Sequence, residues 1–190
     1  MTGQNDGVLA QLSRFALIAF LGACALAVLL DPIKYTDTDC WIHLSGGQYF
    51  FEHGRPVQDS YFSFLEPPRP WLSYAWGFQA LIYLIFSFGG YQGLLIFRTL
   101  MFVGLAVLVF RFLFHSSREK TVPGGWLAFI GFLVSLIVLQ RYMNVRPHMF
   151  SYLLITAFLY VLEFHPRQAV WLPLLGLLWV NVHGIAFPVM

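Results

Sequence analysis

Six apolar runs, at 15–30, 71–88, 93–114, 125–139, 149–162 and 169–182, leave little in this chain for anything but packed helices. Each is near the ~20 residues that a helix needs to cross the hydrocarbon core of a bilayer. Charge is correspondingly scarce: 11% of residues are charged and 58% hydrophobic, against roughly 25% charged in an ordinary soluble domain. The expected fold class is all-α, a polytopic helical membrane protein forming one transmembrane domain over residues 1–190. The net charge of +2 is scattered along the chain, which excludes a basic face for nucleic acid and an acidic tail. Cys24 and Cys40 have neither metal-ligand spacing nor the density of a disulfide framework, so both read as packing residues. Ser13-Arg14 ahead of the first run, with Ala23-Cys24-Ala25 near its end, has the look of a signal peptide. The further apolar runs favour an uncleaved anchor.

Charge placement separates two topologies. If all six runs cross with the amino terminus inside, Arg111, Arg118 and Lys120 fall outside while Arg98, Arg141 and Arg146 fall inside, against the positive-inside tendency. If 71–88 instead lies in the outer interface, the segments 115–120 and 165–168 become cytoplasmic and the bias improves. Asp37, Asp39, Arg98, Arg141, Arg146, His148, Asn181 and His183 then all fall at the outer ends of their helices. The expectation is about five transmembrane helices plus interfacial helices in the first outer loop, near 40–53 and 72–88.

That loop contains a polar island, Asp37-Thr38-Asp39-Cys40-Trp41-Ile42-His43. Trp41, Leu44, Gln48 and Phe51 recur near one helical face, and Gly54 is placed to end the helix in a left-handed cap. Asp39 stands where an N-cap would, so capping competes with catalysis for it. Asp37 has no such structural task. The stiff Glu66-Pro67-Pro68-Arg69-Pro70 is expected to set the position of Trp71.

The order Asp-x-Asp-x-Trp-x-His over Asp37, Asp39, Trp41 and His43, then Gly46, Gly54, Pro56, Asp59-Ser60, Phe62-Ser63, Pro70-Trp71 and Trp76, resembles bacterial multi-spanning glycosyltransferases of the GT-C class. Protein mannosyltransferases and aminoarabinose transferases are of this kind. Arg146-Pro147 opening a helix and Trp179-Val180-Asn181-Val182-His183-Gly184 extend the resemblance over most of the chain. It implies an inverting transferase of the bacterial inner membrane, its first large loop on the outer face. There a sugar would pass from a polyprenyl-phosphate carrier to a glycan, lipid or protein acceptor, an acidic residue of that loop acting on the acceptor. Ile42 departs from the pattern, standing where relatives often carry a second Trp. Such enzymes continue through many more helices, so the chain, which ends in the apolar Ala186-Phe187-Pro188-Val189-Met190, is expected to be the N-terminal part of a longer protein.

The residue types suit that chemistry. Displacement at an anomeric carbon needs a base beside the acceptor hydroxyl, for which Asp37 is the first candidate and Asp39 the second. A departing lipid phosphate needs a cationic clamp, for which Arg98, Arg141 and Arg146 are candidates, although arginines at helix ends also snorkel. His43 and His148 either serve the phosphate or a carboxylate, or make ordinary interfacial hydrogen bonds. Trp71, Tyr74 and Trp76 either stack on a sugar or belong to an aromatic belt. Asn181 and His183 either contact substrate or end the last helix. Asp37 and Asp39, one residue apart, have the oxygen ligands for Mg²⁺ or Mn²⁺ together with a sugar phosphate, a metal that some enzymes of the class use. Two other functions compete. A scaffold or carrier-lipid transporter would use the basic groups without the carboxylates. A haem or quinone subunit would need histidines at matched depth, whereas His43, His53, His148 and His183 lie in loops or at helix ends.

Overall fold

The structure, a computed structural model, describes the backbone of residues 2–33, 37–63, 67, 69–119 and 125–184, with side chains in 15–33, 37–63, 67, 69–113 and 129–184. The elements are α1 (Thr2–Leu30), α2 (Thr38–His53), α3 (Trp76–Glu119), α4 (Gly125–Tyr142), α5 (His148–Phe164), a 3₁₀ turn (Pro166–Trp171) and α6 (Leu172–Val182). Among the described residues the chain is all-helical, and its β pairing is a single isolated bridge between Asp59 and Pro70. Residues 185–190, residues 66 and 68 of the proline-rich stretch, and the side chains of 115–120, on which expectations were placed, lie outside the described residues.

Local chemistry explains the helix ends. Gly54 ends α2 at φ 68°, its N–H bonded to the carbonyl of Phe50, the left-handed cap that its position predicts. Pro147 occupies the N-cap of α5, and the preceding 143–146 turn away from helix. Two expectations are corrected. The N-cap of α2 is Asp37, without a side-chain capping bond, while Asp39 lies inside the first turn. The helix expected over 72–88 starts at Trp76, not 72, because Trp71 N–H pairs with the Gln58 carbonyl and the chain turns through 72–75. On α2 the buried positions are Cys40, Leu44, Gly46, Gly47 and Tyr49, whereas Trp41 and Phe51 are exposed. The two glycines form the contact face. A Cβ on Gly47 would lie 2.1 Å from the Gln79 carbonyl oxygen of α3, an approach that a side chain would forbid.

α3 is two helices joined at a break. Gly90 has φ 56° and ψ −148°. Residues eight apart in a straight helix are separated by about 12 Å, yet a Cβ on Gly93 would lie 3.0 Å from the Ile85 carbonyl oxygen, so the chain folds sharply back here. The second part, through Leu113, is about 35 Å long, enough to cross a hydrocarbon core of about 30 Å. The segment Trp76–Leu113 is long and apolar enough to cross a membrane, and only 33% of its most apolar window is buried inside the molecule. A core helix of a soluble domain would be mostly covered.

The main core joins Cys24 and Val28 of α1, Leu44 of α2, Phe78, Phe102 and Leu105 of α3, Phe132 and Leu136 of α4 and Met149 of α5. A smaller cluster, Leu154, Phe158, Leu172 and Trp179, fastens α6 to α5. Cys24 and Cys40 are buried free thiols within the main core. Every long helix also turns large apolar side chains outward, among them Ile18, Leu100, Val134, Leu159 and Leu177.

Candidate functional site

The site forms where five chain segments end together. Arg98, from the second half of α3, donates to the carbonyls of Val28 and Asp31 at the C-terminus of α1, and lies 3.8 Å from the Asp31 carboxylate. It is only 2% exposed, and its Nε has no hydrogen-bond partner among the described residues. Nearby, Tyr91 donates to the Ile33 carbonyl at 3.2 Å. Arg98 therefore closes the open carbonyls of a helix C-terminus, which favours cations.

Arg146, in the turn between α4 and α5, holds the polar island from the other side. Its Nη2 donates to Asp37 Oδ1 at 2.8 Å and its Nη1 meets Asp39 Oδ2 at 2.9 Å. Proline at 147 keeps residues 145–146 out of helix, which frees the arginine to reach across to α2. The carboxylates differ in exposure: Asp37 is 15% exposed and Asp39 49%. Arg146 Nε is buried without a partner among the described residues. The pairing with Asp37 holds the guanidinium above its ordinary pKa, so it is charged at any physiological pH.

Two clefts adjoin this bridge. The larger, about 780 Å³, is lined by Ala27, Asp31, Pro32, Ile33, Asp37, Arg98, Ile137, Gln140, Arg141, Asn144, Val145 and Arg146. Three guanidinium groups and two carboxylates thus share one cleft. Arg141 is exposed there and has no ion pair or hydrogen bond among the described residues. The smaller cleft, about 200 Å³, is lined by Asp39, Ile42, His43, Trp71, Ser73, Tyr74, Ala75 and Gln79. The bridged carboxylates therefore face different clefts, Asp37 the arginine-lined one and Asp39 the aromatic one.

The floor of the small cleft is a hydrogen-bonded chain. Ser73 Oγ donates to Gln79 Oε1 at 2.7 Å, and the Gln79 amide lies 3.4 Å from His43 Nδ1. Because an amide N–H can only donate, Nδ1 accepts and the proton of neutral His43 sits on Nε2. Burial is the main reason that the His43 pKa falls to about 4; Asp39 and Asp37 oppose the fall, while Arg146 and His183 add to it. Burial likewise pushes the Cys40 thiol up to about 11, with Asp37 adding to the rise.

Other residues singled out from the sequence occupy structural positions beside the site and line neither cleft. Trp76 Nε1 donates to Asn181 Oδ1 at 2.9 Å, and its ring lies 5.5 Å from Phe50. His183 is buried, with Nδ1 2.6 Å from Ser151 Oγ, which accepts from Trp179 Nε1 at 2.7 Å. His148 lies beside Tyr152, ring centroids 5.3 Å apart. Sequence reasoning missed Gln79, Ser73 and Asp31. Gln79 carried a signal, as a polar residue inside the apolar run 71–88.

Asp37 and Asp39 both bind Arg146, and the described residues contain no group of three or more His, Cys, Asp or Glu side chains placed to hold a metal. The chain's own described donors therefore do not complete a cation site. No protein-family model, curated protein or solved structure matches the chain.

Proposed function

We propose that the chain is a membrane glycosyltransferase that moves a sugar from a polyprenyl-phosphate carrier to an acceptor at the outer face of the bacterial inner membrane. The observation that carries this reading is the Asp37–Arg146–Asp39 bridge between a cationic cleft and a small aromatic one. A lipid phosphate suits the first cleft, where Arg141 has no other partner among the described residues and Arg98 and Arg146 add positive field. The acceptor suits the second. Asp39 is the better base in this geometry, because it is half exposed and Arg146 engages only its Oδ2. Asp37, mostly buried, is the residue that orients Arg146.

In the proposed step the acceptor hydroxyl gives its proton to Asp39. Its oxygen forms the new bond to the anomeric carbon, and the bond from that carbon to the phosphate oxygen breaks, its electron pair leaving on the lipid phosphate. The carbon inverts. Nearby guanidinium groups stabilise the charge that accumulates on the leaving group, most strongly where water is scarce.

The proposed topology has α1, the second half of α3, α4, α5 and α6 crossing the bilayer, with α2 and residues 76–89 on its outer surface. The sharp break at Gly90 and the outward apolar faces support it. So does the gathering of the α1, α4 and α6 C-termini with the α5 N-terminus at one end. α6, at 11 residues, is the shortest of these, about 17 Å, and would require local thinning of the bilayer.

The test uses membranes containing the whole chain and a radiolabelled hexose on a polyprenyl phosphate. Asp39→Asn should abolish sugar transfer while leaving carrier binding within about twofold, and Arg141→Ala should weaken carrier binding. A carrier-lipid transporter would tolerate Asp39→Asn, so unchanged transfer by that variant sinks the assignment.

A further inference from the structure

We infer that the small cleft at Asp39 is built for one pyranose ring, which makes the acceptor a carbohydrate in preference to a peptide or a lipid alcohol. The inference rests on the transferase reading only in naming that sugar the acceptor. Its volume, about 200 Å³, is the share of roughly seven liquid waters at ~30 Å³ each, the scale of a single sugar ring. The lining has the two components that a sugar ring requires. Trp71 and Tyr74 present ring surface, 47% and 54% exposed, whose electron-rich faces attract the C–H face of a pyranose. Asp39, His43, Ser73 and Gln79 supply polar groups that orient hydroxyls, and Ser73 and Gln79 are more than nine-tenths buried at the floor.

The aromatic wall is held in place. Trp71 N–H bonds to the Gln58 carbonyl at 3.0 Å beside the Asp59–Pro70 bridge, and Arg69 N–H bonds to Ser60 Oγ at 3.0 Å. Tyr74 rests on Gly184, where a Cβ would come within 3.2 Å of its side chain. An aromatic belt needs exposed Trp and Tyr at a membrane surface, but it needs neither a cleft nor a buried polar floor between them. An isoprenoid alcohol would bring a single hydroxyl to that floor, and a peptide lacks the compact C–H face flanked by hydroxyls that the aromatic wall and polar floor fit together.

Saturation-transfer NMR on the whole chain in phosphatidylcholine nanodiscs, free of sugar-based detergents, tests this with methyl glucoside, methyl mannoside, methyl galactoside and the matching hexose 1-phosphates. Saturation should reach the ring protons of at least one methyl hexoside. Trp71→Ala should lower that signal at least fivefold, Trp71→Phe should keep most of it, and Arg141→Ala should leave it in place. Three results overturn the inference: no signal with any methyl hexoside, a signal unchanged in both Trp71→Ala and Tyr74→Ala, or binding only of the 1-phosphates with loss in Arg141→Ala. The last would put the sugar in the arginine-lined cleft with the donor. Sugar transfer abolished by Asp39→Asn without hexoside binding would refute this inference alone, and hexoside binding with Asp39→Asn fully active would refute the transferase reading alone.

Discussion

Arg146 holds two carboxylates whose surroundings differ, so removing it should separate what each ion pair contributes. Its contacts have nearly the same length, 2.8 Å to Asp37 and 2.9 Å to Asp39, but Asp37 is 15% exposed and Asp39 49%. Two unit charges 4 Å apart attract by about 1 kcal/mol in water and about 4 kcal/mol at an effective dielectric of 20, and desolvation offsets part of the larger figure. An exposed pair is worth about 0–1 kcal/mol, whereas removing one partner of a buried pair costs about 3–5 kcal/mol. With Arg146 itself 37% exposed, the Asp37 pair belongs between those limits. Arg146→Ala should therefore destabilise the chain by about 2–3 kcal/mol. Double-mutant cycles should assign about 2 kcal/mol of coupling to Arg146 with Asp37 and under about 1 kcal/mol to Arg146 with Asp39. The assay is reversible unfolding in mixed micelles, followed by tryptophan fluorescence for the single and double alanine variants. Equal couplings, or a larger one for Asp39, would refute the claim that burial decides the strength of this bridge.

Four further outcomes are expected. Gly47→Ala should destabilise by about 1–3 kcal/mol or more, since its Cβ would meet the Gln79 carbonyl oxygen at 2.1 Å and Tyr83 Cβ at 2.5 Å. Gly131→Ala, with nothing among the described residues within 4 Å of the new Cβ, should stabilise α4 by about 0.5–1 kcal/mol; thermal unfolding gives both signs, and like signs would contradict the packing. His43 has a folded pKa of about 4, below the 6.5 it has when unfolded, so the unfolded chain binds more protons between those values. Its contribution to stability is complete above pH 6.5, declines as pH falls towards 4 and is lost below, up to about 3 kcal/mol; His43→Phe should remove that part of the pH dependence, and an unaltered profile would count against a neutral His43. Ser117→Cys should resist an impermeant thiol reagent in intact cells, where the buried Cys24 and Cys40 give little background; labelling from outside would rule out the five-span topology.

Helices, their ends and their apolar character were legible in the chain because those signals are local. An apolar run, a proline after a turn or a glycine one residue past a helix acts over a few residues, so α4, α5 and the Gly54 cap follow from neighbouring side chains. Where local signals compete, they mislead: Asp39 matches an N-cap, yet Asp37 occupies that position. Hydropathy gives Gly46 and Gly47 no weight, yet missing side chains are what let α2 meet the backbone of α3.

The sequence by itself determined that this chain forms apolar helices and that carboxylates, arginines and aromatic residues gather near their ends. Only the tertiary structure decided the partners. Arg146 reaches Asp37 across 109 positions of chain, Arg98 closes the end of α1 instead of standing free, and His183 is buried against Ser151. Such pairings depend on how helix ends meet in space, where the direction and burial of each side chain select one contact among several that composition allows. The division of Asp37 and Asp39 between two clefts has the same origin, because residues two apart on the first turn of a helix point in different directions.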